Sequence, residues 1–349
     1  MKVLAIETSC DETAVAVIEI NGDSVAVLSN VISSQIALHA QYGGVVPALA
    51  AREHAANIEH VFNAALKEAG VTDPERDIDL LAVTRGPGLG PALLVGLTFA
   101  RTLAWQWNEP LVGVNHMDGH IHSNWLSEKF PVAGFQFPAL NLIVSGGHTE
   151  LVLMRDHGDY EIIGETQDDA IGEAFDKVAR MLDLDYPGGP AISKLALQGN
   201  PNAHDLPRPM AKSGDLNFSY SGLKTAVLYL IRDLGGTLSD QQKSDIAASF
   251  QHAAIDVLLQ KTKLATARYH PRALLLSGGV SANTLLRERL HQLAAELAIP
   301  AFIPEMKYTT DNAAMIAVAG YFAYQKEKTA PTWRTVSMDA NLTLEGSSV

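Results

Sequence analysis

The sequence predicts a duplicated α/β fold: two α/β subdomains flanking a cleft. Three observations carry that prediction. Short apolar runs alternate with longer stretches of helical periodicity, the pattern of α/β layers with largely parallel sheets. The order hairpin, third strand, helix, strand, Gly-rich loop, helix begins again near Ala139. Two strand-to-turn junctions also share a motif, Ser145-Gly146-Gly147 and Ser277-Gly278-Gly279.

Taken in order, Lys2–Ile6 and Ala14–Ile20 read as strands joined by the polar turn Glu7–Thr13, and Asn21-Gly22-Asp23 is a hairpin signal leading to a strand near Ser24–Val31. Pro47–Ala69 has helical spacing, with Pro47 suited to the first turn and Gly70 just past the end. Leu80–Thr84 is a short buried strand whose loop, Arg85–Pro91, feeds a helix over Ala92–Trp107. Leu111–Val114 is the next strand, and a helix opens at His116. The second round comprises strands Ala139–Val144, Leu151–Arg155 and Tyr160–Gly164 and a helix over Asp169–Leu182. Helices over Ala191–Gln198, Ser221–Asp233 and Ser239–Arg268 fill the middle. Strand Ala273–Leu276 and helix Thr284–Leu297 echo the Leu80–Trp107 unit; Asn312–Lys326 closes the chain as a helix, before a weakly patterned tail. A chain of 349 residues exceeds the usual single domain. The expected division is 1–135, with a closing C-terminal helix and tail at about 310–349, and 136–309.

Hydrophobic residues make up 47% of the chain, enough for substantial cores. The formal charge of −13, from 26 basic and 39 acidic side chains, argues against gripping nucleic acid over the whole surface. A local basic patch or a basic partner is compatible with it. The single cysteine, Cys10, forms no intramolecular disulfide, which fits a reducing compartment. The start meets Glu7 too early for a signal-peptide core, and the apolar run Pro91–Ala100 stops at Arg101, too short to span a bilayer. A soluble cytoplasmic protein is expected.

His116 and His120 lie four apart, one turn above each other on a helix, and make half of a metal site that needs a carboxylate or water to complete it. Asp311 sits in Thr309-Thr310-Asp311-Asn312, a run that reads as an N-cap. If the chain closes on itself, Asp311 instead reaches the two histidines, giving the two-His, one-carboxylate set suited to iron(II) or another divalent ion. The Ser-Gly-Gly turns either need positive φ or bring backbone N–H groups to an anion. Their recurrence, read as matching places in the two halves, favours a nucleotide held between them. Asp176 reads as a solvated helix position or a ligand for a ribose hydroxyl. Asp11 and Glu12 could bind metal, orient a nucleophile or form an Asx turn. His39, His54, His60 and His148 are further candidates, more often structural. Phe218–Lys224, with Arg208 and Lys212 upstream, suits either a phosphate-bearing or base-stacking surface or a partly buried loop.

The runs Ile6–Thr13, Gly86–Leu89, His116–His120, Val144–Thr149, Gly172–Lys177, Asp185–Pro190, Phe218–Thr225, Ser277–Asn283 and Thr310–Ile316 together resemble the tRNA N6-adenosine threonylcarbamoyltransferase family, once labelled glycoproteases. The likeness runs from Lys2 to about Gly320, with the motifs in family order. It implies an actin/Hsp70/sugar-kinase-type fold. It implies transfer of a threonylcarbamoyl group from threonylcarbamoyl-adenylate to the adenosine 3′ of the anticodon, in tRNAs reading codons that begin with A. By position it carries one divalent metal ion onto His116, His120 and Asp311, iron(II) being expected and zinc able to replace it in vitro. Adenylate contacts carry over to Ile143, Val144, Ser145, Gly146, Gly147, Asp176, Gly189 and Asn283. Asn115, where many relatives have His, and Gly90-Pro91 depart from the family pattern. Asp11 is the expected general base, with His39 and His148 in reserve. Since the acidic chain does not explain how tRNA is held, a paralogous non-catalytic subunit and a small ATPase of the bacterial type are expected partners. The rival readings are an ATPase or phosphotransferase of the same fold, a metalloprotease and a non-enzymatic scaffold. Zincin helices carry Glu directly after the first His, where this chain has Met117.

Overall fold

Residues 1–22, 24–127, 130, 135–326 and 332–344 are described by a computed structural model of the chain. Asp23, the last residue of the expected Asn21-Gly22-Asp23 turn, lies outside the described residues, as do 327–331 and 345–349 of the C-terminal segment.

In chain order the elements begin with β1 (Lys2–Glu7), β2 (Glu12–Asn21), β3 (Ser24–Ser34), α1 (Ile36–Ala40), α2 (Pro47–Glu68), α3 (Pro74–Asp77), β4 (Leu80–Gly86), α4 (Gly90–Trp107), β5 (Leu111–Asn115) and α5 (His116–His122). They continue with β6 (Ala139–Val144), β7 (Thr149–Asp156), β8 (Asp159–Glu165), α6 (Ile171–Met181), α7 (Gly188–Ala196), α8 (Ser221–Asp233), α9 (Asp240–Tyr269), β9 (Ala273–Ser277), α10 (Thr284–Leu297), β10 (Ala301–Phe302) and α11 (Ala313–Lys326). Two compact units result: Met1–Phe135, Arg155–Tyr160 and Pro304–Val349 form one, and Gln136–Met154 with Glu161–Ile303 the other.

The first unit holds a five-stranded sheet ordered β3-β2-β1-β4-β5. Strands β1, β2 and β3 form an antiparallel meander, while β4 and β5 extend it in parallel, with Ile6 opposite Val15 on one side and Val83 on the other. Parallel strands buried on both faces read as continuous apolar runs, and β4 and β5 do. One face receives α2 and α4 through Ile58, Phe62, Leu66, Leu97 and Trp107. The other receives α11, whose first eight residues, Ala313–Gly320, are all buried. Small side chains let it lie close: a Cβ on Gly320 would stand 2.6 Å from the Ala82 Cβ. Each fully buried Leu, Ile or Val contributes roughly 1.5–3 kcal/mol.

The second unit repeats the pattern. Its sheet, read as β8-β7-β6-β9-β10, follows the same strand order, with an antiparallel β6–β7 pair and parallel β6–β9 and β9–β10 pairs. This is the duplicated α/β topology of the actin/Hsp70/sugar-kinase class. The 30-residue α9 forms its axis, opened by a capping box in which Ser239 Oγ accepts from Gln242 N and Gln242 Oε1 from Ser239 N. Phe250 on α9 meets Phe175 on α6 edge to face at 5.0 Å.

Two expectations change and one open alternative is decided. Both Ser-Gly-Gly turns belong to the second unit, after β6 and β9, so they repeat within one sheet and not between halves. Of the two readings of Phe218–Lys224 the buried one holds: Phe218 and Tyr220 are fully buried, Lys224, in the first turn of α8, pairs with Asp169, and Arg208 pairs with Asp256. The weakly patterned tail is tied down. Asp339 N donates to Arg85 O at 2.9 Å, Gly88 N to Ala340 O at 3.2 Å and Asn115 Nδ2 to Thr343 O at 3.0 Å, while Val336 and Leu344 are buried. Gly86 permits that contact, because a Cβ there would stand 1.7 Å from Asp339 O.

Candidate metal centre and nucleotide loops

Helix α5 has only seven residues, too few to persist on its own. Asn115 starts it: its Oδ1 accepts from Met117 N at 2.8 Å. Ser123 Oγ donates to His120 O at 2.6 Å at the far end, and Tyr160 OH donates to Asp118. His122 sits between Asp118 Oδ1 at 2.8 Å and His157 Nδ1 at 2.8 Å, and His157 stacks on Phe322. So held, the buried rings of His116 and His120 lie 4.7 Å apart between centroids.

Asp311 comes from the turn before α11, and it is not the N-cap. Asn312 takes that role, its Oδ1 accepting from Met315 N at 3.0 Å, which leaves Asp311 to face the histidines. His116 Nε2 stands 3.4 Å and His120 Nε2 3.2 Å from Asp311 Oδ1. One donor atom from each of the three residues lies within 4.8 Å of the others.

Behind His116 is a second carboxylate that the sequence reading did not single out. Glu7, at the end of β1 and fully buried, has its Oε2 3.1 Å from His116 Nδ1. It also accepts from Ser9 N and from the Thr84 hydroxyl. Burial pushes the Asp311 carboxyl up, but the charges and hydrogen bonds of His116 and His120 reverse this and hold it well below the usual range. Burial alone would lower His116; the Asp311 and Glu7 carboxylates raise it well above the ordinary imidazole value instead. One buried carboxylate, Glu7, and one half-buried, Asp311, thus draw a positive charge to this point. Two imidazole nitrogens and one carboxylate oxygen, with that electrostatic demand, fit a divalent transition-metal ion.

Asp11 lies in the turn before β2, its backbone O accepting from Gln35 N at 2.9 Å. Beside it, Glu12 is pushed up to about 9 by burial and by the charges of Asp311 and Asp11. Ser34 Oγ donates to Glu12 Oε1 at 3.0 Å. His54 is not a ligand. Its Nδ1 meets Thr13 Oγ1 at 2.8 Å and its Nε2 meets Cys10 O at 3.0 Å. Buried His39 bonds Gln35 Oε1 at 3.0 Å, so both rings brace the Ser9–Thr13 turn, and His60 is exposed.

The second unit gathers the residues expected to hold an adenylate. Strand β6 runs through Ile143 and Val144 into Ser145, whose Oγ accepts from His148 N at 3.0 Å, while Gly146 and Gly147 are exposed. Two glycines close on this loop. Gly278, at φ +88°, would place a Cβ 2.4 Å from Val144 O, and Gly172 one 2.5 Å from Ser145 O. Asp176 is not a solvated helix position. Its Oδ1 accepts from Gly188 N at 2.7 Å at the start of α7, and burial raises its carboxyl against the lowering by the Gly188 and Gly189 backbone bonds. A Cβ on Gly189 would have no atom within 4 Å, so this turn is open. Asn283 caps α10, its Oδ1 accepting from Leu286 N at 3.0 Å, and its Nδ2 donates to Ser193 Oγ at 2.9 Å and Gln251 Oε1 at 2.8 Å.

The chain is similar to known proteins over most of its length. Residues 26–318 match the family profile described as TsaD, tRNA N6-adenosine threonylcarbamoyltransferase. A protein of that name from Bacillus subtilis is 50% identical over 93% of this chain and 91% of its own length. One from Moorella thermoacetica is 47% identical over 94% of each. Among solved structures, full-length HypF in a phosphate- and nucleotide-bound form superposes with a TM-score of 0.61 at 14% identity, over 95% of this chain and 47% of that one. At that identity the likeness concerns the fold alone. The chain belongs to the tRNA N6-adenosine threonylcarbamoyltransferase family.

Proposed function

We propose that this chain transfers the threonylcarbamoyl group from threonylcarbamoyl-adenylate to N6 of the adenosine 3′ of the anticodon, in tRNAs reading A-starting codons, with release of AMP. The observation that carries the reading is the meeting of His116, His120 and Asp311, with ligand atoms within 4.8 Å of one another, in a chain about half identical to enzymes of that name.

An adenine amine is a poor nucleophile, because its lone pair is delocalised into the ring, so the acyl donor must be activated as a mixed anhydride. The bond from N6 to the carbamoyl carbon forms, the bond from that carbon to the phosphate oxygen breaks, and the N6 proton passes to a base. The exposed Gly146-Gly147 turn offers backbone N–H groups to the adenylate. Asp11 takes the proton. His116, His120 and Asp311 would hold the metal, iron(II) in the cell. A bound divalent ion supplies polarisation of the donor carbonyl and fixes its orientation. The long-standing protease reading lacks its base, since Met117 is a buried apolar residue.

No helix among the described residues is long and apolar enough to cross a membrane, and we place the protein in the cytoplasm. With a charge of −13, tRNA binding needs help, which we assign to a paralogous non-catalytic subunit and a small ATPase. The test supplies preformed threonylcarbamoyl-adenylate and undermodified tRNA, with those partners, and looks for the modified nucleoside by mass spectrometry. Product is expected with the wild-type chain and not with His116→Ala or His120→Ala. Absence of product from the wild type, or full turnover by both variants, would sink the proposal.

A further inference from the structure

We infer that Glu7 is the positioning residue that decides which nitrogen of His116 faces Asp311. The inference rests on the reading that His116, His120 and Asp311 hold a divalent cation, and it concerns how one of those ligands is prepared.

The two histidines are supported unequally. His116 Nδ1 lies 3.1 Å from Glu7 Oε2 and 3.2 Å from Ser9 Oγ. His120 Nδ1 is buried and has no hydrogen-bond partner among the described residues. A carboxylate only accepts, so once a cation between His116 and Asp311 takes Nε2, the proton left on the ring sits on Nδ1 opposite Glu7. The Nε2 lone pair then points at Asp311 Oδ1, 3.4 Å away, where a ligand atom is needed. A metal-bound histidine commonly donates its other N–H to a carboxylate, which sets the tautomer and raises the basicity of the ligating nitrogen.

The remaining contacts of Glu7 make it hard to replace. Its Oε1 accepts from Ser9 N, a backbone group that can only donate. Its Oε2 accepts from both the Thr84 hydroxyl and His116 Nδ1. A glutamine has one acceptor end and one donor end. With its oxygen kept opposite Ser9 N, its amide NH2 faces Thr84 and His116. The threonine hydroxyl can rotate to accept. His116 can accept only through a bare Nδ1, which moves the ring proton to Nε2, and protonated Nε2 is no ligand. The opposite amide orientation sets NH2 against the Ser9 N–H with both groups buried, at a cost of about 1–3 kcal/mol. Glutamine, almost isosteric with glutamate, therefore selects the wrong tautomer.

The experiment measures zinc affinity of the purified full-length chain by competition with a chromophoric chelator. The wild type is compared with Glu7→Gln, Glu7→Asp, Thr84→Val and His120→Ala, each checked by circular dichroism and unfolding midpoint. Glu7→Gln is expected to weaken zinc binding by roughly 10- to 100-fold. Glu7→Asp, which still only accepts, should lose less. Thr84→Val, which removes a neighbour of Glu7 and leaves the His116 contact, should stay within about threefold of wild type. In the zinc-loaded wild type, ¹⁵N spectra of labelled histidine should show His116 ligating through Nε2 with a proton on Nδ1. Wild-type affinity in a folded Glu7→Gln, equal losses in Glu7→Gln and Thr84→Val, or ligation through Nδ1 would overturn the assignment. Should Glu7→Gln fail to fold, the Glu7→Asp and Thr84→Val comparison and the spectra decide. Stoichiometric zinc lost in His120→Ala but kept in Glu7→Gln defeats only the role of Glu7. No stoichiometric zinc in the wild type defeats the metal reading itself, and this inference with it.

Discussion

Replacing Asn283 tests whether its side chain serves the ligand or the protein. Family resemblance makes it an adenylate contact, yet its polar atoms are engaged internally. Oδ1 caps α10 at Leu286 N, and Nδ2 bonds both Ser193 Oγ and Gln251 Oε1. Loss of an N-cap costs about 1 kcal/mol, and a buried acceptor such as Gln251 Oε1 left unpaired costs about 1–3 more. Asn283→Ala is therefore expected to destabilise the second unit by about 2–4 kcal/mol. Asn283→Asp, which keeps the cap and can be met by a flipped Gln251 amide, should lose less than half of that. The assay is urea unfolding followed by far-ultraviolet circular dichroism. Tryptophan fluorescence will not serve, because Trp105, Trp107, Trp125 and Trp333 all belong to the first unit. AMP binding by calorimetry completes it, and any loss should follow the loss of structure. An Asn283→Ala protein within 0.5 kcal/mol of wild type, on the order of the noise in such measurements, that no longer binds AMP would refute the reasoning and return the side chain to the ligand.

Three further outcomes are expected. Gly86→Ala drives a Cβ into Asp339 O and should release the tail, giving up the burial of Val336 and Leu344, about 3 kcal/mol or more; cleavage within 332–344 by a dilute protease should rise on the order of 100-fold, and an unchanged rate would show that the tail is held elsewhere. His157 is lowered to about 2 by burial and by the neighbouring His122 and Lys326, so the unfolded chain takes up its proton first as pH falls below 6.5. Stability from this site is complete above pH 6.5 and declines toward pH 2, by about 2 kcal/mol between pH 7 and pH 5, and His157→Gln should flatten that slope in melting curves; parallel curves would refute it. Zinc at roughly 100 times its dissociation constant should stabilise the wild type by about 2.7 kcal/mol and His120→Ala by far less, and equal melting shifts would place the ion outside the triad.

Much of the fold could be read from the chain because its signals are local. Helix α4 has Gly90-Pro91 in its first turn and ends at Asn108 in the left-handed conformation, and the central strands of both sheets are apolar runs bounded by turn residues. The two-residue β10 and the five-residue α1 are too short to leave a period. The tail escaped notice because its order is borrowed: backbone groups of Arg85 and Gly88, not an apolar pattern of its own, fix it. The metal-centre candidates were legible because His-x-x-x-His has a fixed meaning on a helix. Glu7 was not, since a glutamate ending a strand is ordinary, and only folding brings it against His116, 109 residues away. Asp176 and Asn283 carried a motif signal, but not the internal hydrogen bonds that occupy them.

The triad depends on a division of labour that recurs at both of its ends. His116 and Asp311 each adjoin a helix start, where the orphan N–H groups would ordinarily claim the nearest polar side chain. At α5 that claim is met by Asn115, one residue before His116; at α11 it is met by Asn312, one residue after Asp311. Each asparagine also uses its amide NH2 to hold backbone, Asn115 on Thr343 O in the C-terminal tail and Asn312 on the neighbouring Thr310 O. Both helix starts are thus satisfied without using a candidate ligand. Had Asp311 been the cap, its carboxylate would point along the axis of α11 and the Nε2 atoms of both histidines would face no acid. Asn312→Ala should therefore lower zinc affinity by at least tenfold at unchanged ligand identity, because the nearest acceptor left for the freed N–H groups is Asp311 itself. Undiminished affinity in that variant would show that Asp311 is held toward the histidines by the rest of its turn, and that the cap is incidental to the site.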